Sequence, residues 1–315
     1  MSTYKLRLET VMPTTVISKY AGENLSVRHG LDTEPSQENF FLHAHRTYEL
    51  FYFISGDCYY TVEGTDYPLT PGCILIMRSG EAHTLHLRSP QAYERITINF
   101  APSIIPLLGK EIGELFCDRP LGKRNLYIPT EENRDFLKAC MSKISKETSA
   151  DNSEGHIISN LMPVIVELYR LSAQNAEIAD HIQPPSQGSS ETVSKIIEYI
   201  NANLVTIKGL DELEKEFFFS KSYINRIFKE STGSSVWDYI VLKRLLLSRS
   251  LLQNGKQANI VASECGFCDY SSFYRQFKQR FGISPLSARK LPLYALEPLR
   301  EISISFSSDE SDISA

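Results

Sequence analysis

The chain has 315 residues, of which 42% are apolar, a size typical of two domains that each bury a core. Its net charge of −5 is unevenly distributed, because residues 191–290 carry a net of +5, residues 1–190 a net of −6 and residues 291–315 a net of −4. A basic segment in an acidic chain favours local binding of a polyanion. No apolar run reaches the roughly 18 residues of a membrane helix, which excludes a membrane-spanning protein.

The opening residues, MSTYKLRLETVMPTT, lack the charged-then-apolar order of a secretory signal. The six cysteines are scattered and form no disulfide framework. We therefore expect a cytoplasmic protein with reduced thiols and no membrane partner.

Residues 40–100 predict short antiparallel strands. Segments rich in β-branched and aromatic residues are separated by turn signals such as Glu63-Gly64 and Pro71-Gly72. The predicted strands are FFLHAH, YELFYFIS, CYYTVEG, CILIMRSG, HTLHLRS and ERITINF. Strands at this spacing predict an antiparallel barrel or jelly roll.

Four residues of this region have metal-binding chemistry. His43, His45 and Glu49 stand in the pattern H-x-H-x3-E, and His83 follows a later turn. Two His at alternate positions of a strand point the same way, so with Glu49 and His83 from neighbouring strands they would offer three imidazoles and one carboxylate. This pattern and a second one, which runs from Gly72 through Arg78 and Gly80 to His83, resemble the two motifs of the cupin fold, a small β-barrel.

Helical periodicity begins after the strands, at residues 131–148 and 154–178, where apolar residues recur on one face. Two helices after a β-domain serve equally well as dimer elements or as a cap on the barrel. Residues 181–191 have the composition of a linker, and the Ser- and acid-rich end of the chain, within 291–315, predicts partial disorder.

A long motif occurs twice in the basic segment, 49 residues apart. It has the form S-x-hydrophobic-x-R-x-F-K-x-x-x-G-x-S and begins at Ser222 and again at Ser271. Such a repeat indicates two related structural units. Each unit predicts a short amphipathic helix, capped by Ser220 in the first copy and Asp269 in the second and closed by Gly.

The polar faces of the two helices suit DNA. Arg226 and Arg275 can bond guanine in bidentate fashion, and Asn225 suits adenine. Lysines near the helix ends suit phosphate. The candidate DNA-binding residues are Lys221, Ser222, Asn225, Arg226, Lys229, Tyr270, Ser271, Arg275 and Lys278.

Residues 200–289 resemble the DNA-binding module of the AraC/XylS family of transcription regulators. The matched residues are Leu213, Ser220, Ile224, Arg226, Phe228, Lys229, Gly233, Tyr239, Arg244, Leu251, Leu252, Ala262, Gly266, Phe267, Phe273, Phe277, Lys278, Gly282, Pro285 and Arg289. The resemblance implies two helix-turn-helix units joined by one long helix, with recognition helices in successive major grooves.

The first unit departs from the family pattern, with Glu214 in place of a small Ala and Phe218 in place of a turn Gly. In the second unit Ala288 replaces an aromatic residue. Cys265 and Cys268 form a C-x-x-C pair, but a zinc site needs about four ligands and no second pair is present.

AraC-like regulators often carry cupin barrels that bind a small effector without enzyme activity. This resemblance implies that His43, His45, Glu49 and His83 line an effector pocket, whose ligand in such barrels is often a sugar, and no cofactor is expected; the sequence does not separate a sugar from an aromatic acid or another metabolite. A divalent metal on the same four residues, or histidines with a structural role, remain alternatives. A metal-dependent cupin enzyme fused to the DNA-binding module is a further one.

We therefore predict an α+β protein of two domains that is not an enzyme. The expected domains are a cupin-like antiparallel β-barrel at 1–130, a helical dimerisation or packing segment at 131–180, a linker at 181–191, an all-α tandem helix-turn-helix domain at 192–290 and an acidic tail at 291–315. The expected partners are double-stranded promoter DNA, a small-molecule effector and a second copy in a homodimer, with RNA polymerase as a possible one.

Overall fold

The computed structural model describes residues 15–22, 24–117, 120–149, 153–179 and 189–290. Its strands are Thr15–Ala21 (β1), Leu25–Asp32 (β2), Tyr48–Ser55 (β3), Cys58–Val62 (β4), Thr65–Pro68 (β5), Ile74–Met77 (β6), His83–Leu87 (β7), Tyr93–Phe100 (β8) and Leu126–Tyr127 (β9). Its α-helices are Lys110–Cys117 (α1), Glu131–Lys146 (α2), Ser153–Ala179 (α3), Ser189–Ala202 (α4), Leu210–Phe217 (α5), Lys221–Thr232 (α6), Val236–Gln253 (α7), Ala258–Glu264 (α8), Tyr270–Phe281 (α9) and Pro285–Lys290 (α10).

The strands form two antiparallel sheets, a large one in the order β1-β2-β8-β3-β6-β9 and a small one in the order β5-β4-β7. The predicted α+β class is confirmed. The predicted closed barrel is wrong, because each sheet ends in edge strands within the described residues. Alternation of apolar and polar residues predicts strands with one buried face, but it does not determine whether the edges of a sheet meet.

Strand β3 shows how the large sheet is covered on both faces. Leu50 and Tyr52 pack in one core with α2 and α3, whereas Phe51 and Phe53 pack in a second core with the small sheet. This division follows from the two-residue period of a strand. The central strand is therefore apolar along almost its whole length, as expected for a strand buried on both faces.

Helices α2 and α3 cover the outer face of the large sheet. The apolar stripe of α3, which includes Leu161, Val164 and Leu168, is fully buried in the same core as Leu137 and Met141 of α2. The stripe is thus used within the chain, which supports the cap interpretation of these helices. Dimerisation through them stays a prediction, and it would have to use their more polar outer faces.

The two copies of the motif fold as predicted, as α6 and α9. The Ser220 hydroxyl accepts a hydrogen bond from the Tyr223 amide (3.3 Å), and the Asp269 carboxylate accepts one from the Ser272 amide (2.7 Å). Gly233 and Gly282 end the helices in the left-handed conformation, with φ of 73° and 70°. Each capping choice is local, which explains why sequence alone located both helices.

Arg244 of the long helix α7 joins the two units. Its guanidinium donates to the carbonyl oxygens of Leu204 (2.8 Å), Gly266 (2.7 Å) and Ile207. Gly266 has a φ of +81°, and a Cβ there would lie 2.9 Å from Arg244 Cζ. The backbone turn that precedes α9 is therefore held against α7 by one buried side chain.

Two segments differ from their sequence interpretation. FFLHAH forms no strand and contributes only a bridge between His43 and His83. Helix α4 begins at Ser189, inside the segment interpreted as a linker. The N-terminal strands β1 and β2 had no sequence prediction, and the predicted tail lies outside the described residues.

Phe218, at the end of α5, has an unfavourable backbone conformation. Its φ is +56° and its side chain is 90% exposed. A non-glycine residue in the left-handed conformation destabilises the folded state by about 1–2 kcal/mol. Glycine removes this strain, but it also gives the unfolded chain more conformational entropy, which offsets part of the gain. We expect Phe218→Gly to raise the free energy of unfolding by about 0.5–1 kcal/mol in urea titrations. Phe219→Gly is the matched control and should lower it; a loss of stability in both would contradict the argument.

Candidate effector site and DNA-contacting helices

Two short extended segments bring the predicted histidines together. The first contains His43 and His45, and the second begins β7 at His83. The His43 amide donates to the His83 carbonyl (3.1 Å), and the His83 amide donates to the His43 carbonyl (2.8 Å). Glu49 projects from β3 beside them, so the four residues predicted from the sequence do converge.

All three imidazoles are oriented by backbone carbonyls. Nδ1 lies 3.0 Å from Phe41 O in His43, 3.0 Å from Thr47 O in His45 and 2.8 Å from Glu81 O in His83. A carbonyl oxygen only accepts, so Nδ1 carries the proton in His43 and His83, whereas Nδ1 of His45 also lies 3.2 Å from the Thr47 hydroxyl, which can donate to it. In the neutral ring, Nε2 of His43 and of His83 then presents a lone pair, and one ligand atom from each of the three histidines lies within 4.8 Å of the others.

Glu49 balances the cluster. Its Oε2 lies 2.7 Å from His45 Nε2 and 3.8 Å from His83 Nε2. Burial alone would raise the pKa of the Glu49 carboxyl, but the hydrogen bond from His45 and the neighbouring imidazoles lower it to about 2. The carboxylate is therefore charged at neutral pH and gives the site one negative charge.

The short contact between His45 and Glu49 is a hydrogen bond from Nε2 to Oε2. A neutral His45 makes this bond when the Thr47 hydroxyl donates to its Nδ1, and a bound metal ion would take the place of the Nε2 proton. Burial lowers the pKa of His43 and lowers that of His83 well below its usual value. His83 Nε2 is buried and has no hydrogen-bond partner among the described residues.

These residues fit a divalent transition-metal ion. Three imidazole nitrogens and one carboxylate oxygen match the ligands that Zn²⁺, Mn²⁺ or Fe²⁺ take. Metal-bound histidines almost always donate their other ring nitrogen to a carbonyl or carboxylate, and Nδ1 of each of the three lies against a carbonyl oxygen here. An oxygen-rich organic effector could use the same lone pairs, so the site suits both classes of ligand.

The site lies directly beside the C-terminal helices. Leu42, Ala44 and Ala82 alternate with the site residues along the two extended segments, and all three pack into the core of the C-terminal domain. One face of each segment thus carries the histidines and the other contacts the helical domain. The backbone that carries two of the site histidines, His43 and His45, and the backbone at His83 therefore also form part of the contact with the helical domain.

In the first unit the predicted DNA-contacting residues are not equally available. Ser222, Arg226 and Lys229 are exposed, although Arg226 pairs with Glu230 at 3.1 Å. Asn225 is half-buried, and its Oδ1 accepts a hydrogen bond from the amide of Val236 (3.0 Å). Its carboxamide oxygen therefore caps α7 instead of facing solvent.

Lys221 is half-buried and forms an ion pair with Asp211 at the start of α5. It must give up this partner to contact phosphate. The helical pattern predicts Tyr223 in the buried stripe of α6, and this is wrong: its ring is 37% exposed and lies beneath the Arg226 guanidinium, 5.2 Å from it. An aromatic residue three positions before Arg on a helix was the available signal.

The second unit presents all four of its predicted residues. Tyr270, Ser271, Arg275 and Lys278 are exposed on α9, while Phe273 and Phe277 are fully buried on the opposite side. The aromatic pair anchors the helix in the core that contains Leu245 and Leu252 of α7. The replacement at Ala288 is accommodated, because that residue is fully buried in the same core.

Known families match both parts of the chain. Residues 29–155 match the AraC-like ligand binding domain, and residues 213–291 match a helix-turn-helix domain. Within the described residues, no helix is long and apolar enough to cross a membrane.

Several curated proteins are similar to the chain. The Msm operon regulatory protein of Streptococcus mutans is 29% identical over 42% of this chain and 48% of its own length. The probable transcriptional regulator LumQ of Photobacterium leiognathi is 33% identical over 29% of this chain and 37% of its own length. The matched part thus spans less than half of either relative.

Among solved structures, ToxT of Vibrio cholerae covers 84% of this chain and 98% of its own, with 14% identity and a TM-score of 0.36. The two family matches define the class of protein, a ligand-binding domain joined to a helix-turn-helix domain. Each of its two parts is thus similar to the corresponding part of AraC-like regulatory proteins.

The lowered pKa of His83 makes stability depend on pH. The unfolded chain takes up a proton at this imidazole near its usual pKa of 6.5, whereas the folded chain does not. The contribution of neutral His83 to the free energy of unfolding is therefore fully present above pH 6.5. It is lost as the pH falls from there towards the pKa of His83 in the folded chain. With a chelator present, we expect this residue to lower the free energy of unfolding by about 1 kcal/mol between about pH 7.5 and pH 5.5. His83→Gln should flatten the decline, and equal slopes in both proteins would contradict the assignment.

Proposed function

We propose that this regulator binds promoter DNA through α6 and α9 and that a small ligand at His43, His45, Glu49 and His83 controls the binding. One observation carries the proposal: the two segments that hold the histidines also contact the helical domain through Leu42, Ala44 and Ala82. A ligand can change DNA binding only if it favours one arrangement of the two domains over another. These two segments physically connect the ligand site to the helical domain.

The exposed arginines are the proposed base contacts. Arg226 and Arg275 project from equivalent positions of the two motifs, and both suit the guanine edge in the major groove. Lys229 and Lys278 lie in the last turns of α6 and α9 and suit phosphate, as does Lys221. Because Asn225 caps α7, we assign more of the base reading in the first unit to Ser222 and Arg226.

The ligand class follows from the chemistry of the four site residues. Lone pairs from three imidazoles and one carboxylate suit a divalent metal ion, or the hydroxyl groups of a sugar or related metabolite. An enzyme with a metal at this site is the second candidate, and the same cluster favours it. The matches to an AraC-like ligand binding domain and a helix-turn-helix domain, and the contact of the site with the helical domain, support regulation instead.

Two partners complete the proposal. We propose a homodimer, since a pair of two-unit modules can occupy repeated half-sites on a promoter. The dimer contact would use the outer faces of α2 and α3, because their apolar stripes are buried within the chain. RNA polymerase is a further proposed partner, and the protein would act in the cytoplasm.

Substitution of the arginines tests DNA reading. With duplexes selected by the wild-type protein from a random pool, Arg226→Ala and Arg275→Ala should each cost about 1–3 kcal/mol and relax preference at one base position. Lys195→Ala, on the exposed face of α4, is the matched loss of one positive charge. Mobility shifts at two salt concentrations measure the effect. Equal losses on selected and random DNA would show that the arginines contact phosphate only.

Titration with Co²⁺ tests the metal alternative. Binding at three imidazoles and one carboxylate should give visible absorption bands with one ion per chain, and His45→Ala or His83→Ala should remove them. His156→Ala is the control, since that imidazole is exposed on α3. If no ion binds, the ligand is organic, and a thermal-shift screen of metabolites on the full chain should then raise the melting midpoint.

Bound metal without turnover on candidate substrates would support regulation. Catalytic turnover that His45→Ala abolishes, in a protein that binds no specific DNA, would instead favour the enzyme alternative.

A further inference from the structure

A buried carboxylate joins the two domains. Glu63 stands with Gly64 in the turn between β4 and β5, and its φ is +47°, a conformation that non-glycine residues seldom adopt. The residue is nevertheless buried. A buried residue keeps a left-handed backbone conformation only where its contacts offset the strain, so the contacts of Glu63 must stabilise this turn.

Four donors surround this carboxylate. Its Oε1 accepts from the Ala82 amide (2.6 Å) and from Lys243 Nζ (2.8 Å). Its Oε2 accepts from Asn201 Nδ2 (3.1 Å) and from the Tyr239 hydroxyl. Three of the four donors belong to α4 and α7 of the C-terminal domain.

The ion pair is shielded from water. The side chains of Lys243 and Glu63 are 9% and 0% exposed. Burial and the Glu63 carboxylate together hold the pKa of Tyr239 well above its usual value, so the phenol keeps its proton and remains a donor. Breaking one partner of such a buried pair leaves an uncompensated charge, so both residues depend on domain contact.

The backbone of the turn also fits the helical domain closely. Ser194 Oγ donates to the Gly64 carbonyl (3.2 Å). A Cβ at Gly64 would lie 2.7 Å from Ile197 Cδ1, so the turn approaches α4 closely enough to exclude a side chain. We refer to Glu63, Asn201, Tyr239 and Lys243 as the inter-domain clamp.

The clamp is continuous with the proposed effector site. Lys243 Nζ also donates to the Gly80 carbonyl (2.7 Å), and the Ala82 amide is the donor next to His83. The segment from Gly80 to His83 therefore contacts the clamp at two points and ends in a site histidine.

The opposite net charges of the two regions indicate that the inter-domain clamp weakens DNA binding. The clamp holds an N-terminal region of net charge −6 against a segment of net charge +5, which weakens the positive field of the latter. It also keeps basic side chains of the helical domain near the N-terminal domain. Arg280 of α9 interacts electrostatically with His43, and Arg249 of α7 interacts with Arg46; burial lowers the pKa of both residues, that of Arg249 to about 10.

We propose that the inter-domain clamp holds the helix-turn-helix domain in a form of low DNA affinity, and that opening the clamp raises this affinity. This inference rests on the proposed function, because it assumes that α6 and α9 bind DNA. None of the clamp residues is among the proposed DNA contacts, so their effect must act through the domain arrangement.

The test compares full-length wild type with Glu63→Gln, which keeps the shape of the side chain but removes its charge and turns an amide NH₂ towards donors. On duplexes selected from a random pool, we expect affinity to rise by about tenfold, within the usual range of coupling between sites. The slope of the logarithm of the DNA-binding constant against the logarithm of salt concentration should also become steeper. We expect a change of about one for each basic side chain that is freed and reaches a phosphate. A merely damaged domain would lose affinity instead.

Glu191→Gln is the matched control. It removes an ion pair with Lys195 that is exposed on the surface of α4, and it should leave DNA affinity unchanged. If Glu63→Gln fails to fold, the double variant Glu63→Gln with Lys243→Met, which leaves no unpaired buried charge, replaces it. Circular dichroism verifies folding in each case.

The outcomes separate the two proposals. Unchanged or weaker DNA binding by a folded clamp variant, beside specific binding by wild type, overturns the clamp and leaves the proposed function intact. Specific DNA binding by the clamp variant, with none by the wild type, supports both the clamp and the proposed function. If neither protein binds any selected duplex, the proposed function fails and the clamp with it.

Discussion

The constraint on which this molecule depends is the pairing of two short extended segments around His43 and His83. Because side chains of an extended segment alternate, one face of the pair carries the imidazoles and the other carries small apolar residues buried in the helical domain. A shift of one residue in this register would send the histidines into the domain contact and the apolar residues into the site. Ligand chemistry and domain contact are therefore specified by one short piece of backbone.

Features set by local interactions could be predicted from the sequence. The recognition helices followed from cap residues and closing glycines a few positions apart, and the structure has Ser220 and Gly233 in those roles. The site cluster followed from the spacing of His43, His45 and Glu49, since an extended backbone places alternate residues on one side even where, as at His43 and His45, it forms no strand. In both cases the distance along the chain is short and the geometry is nearly fixed.

Features set by long-range packing could not be predicted. Closure of the sheets depends on whether edge strands meet, which strand patterns do not encode. Asn225 looked like a base reader because it faces outward on a helical wheel, yet it caps the start of α7, eleven residues later in the chain. Glu63 looked like an ordinary turn residue, and only the fold places it against Tyr239 and Lys243.

Arg244 has a consequence for the promoter itself. Since this side chain fastens the turn before α9 to the helix that also carries the first unit, the two recognition helices are parts of one stiff body. Under the proposed function, such a body accepts only one helical phase between the two DNA elements that α6 and α9 contact. Insertion of about five base pairs, half a turn of the duplex, would place the second element on the opposite side of the DNA. Helix α9 could not reach it there, because its position relative to α6 is fixed.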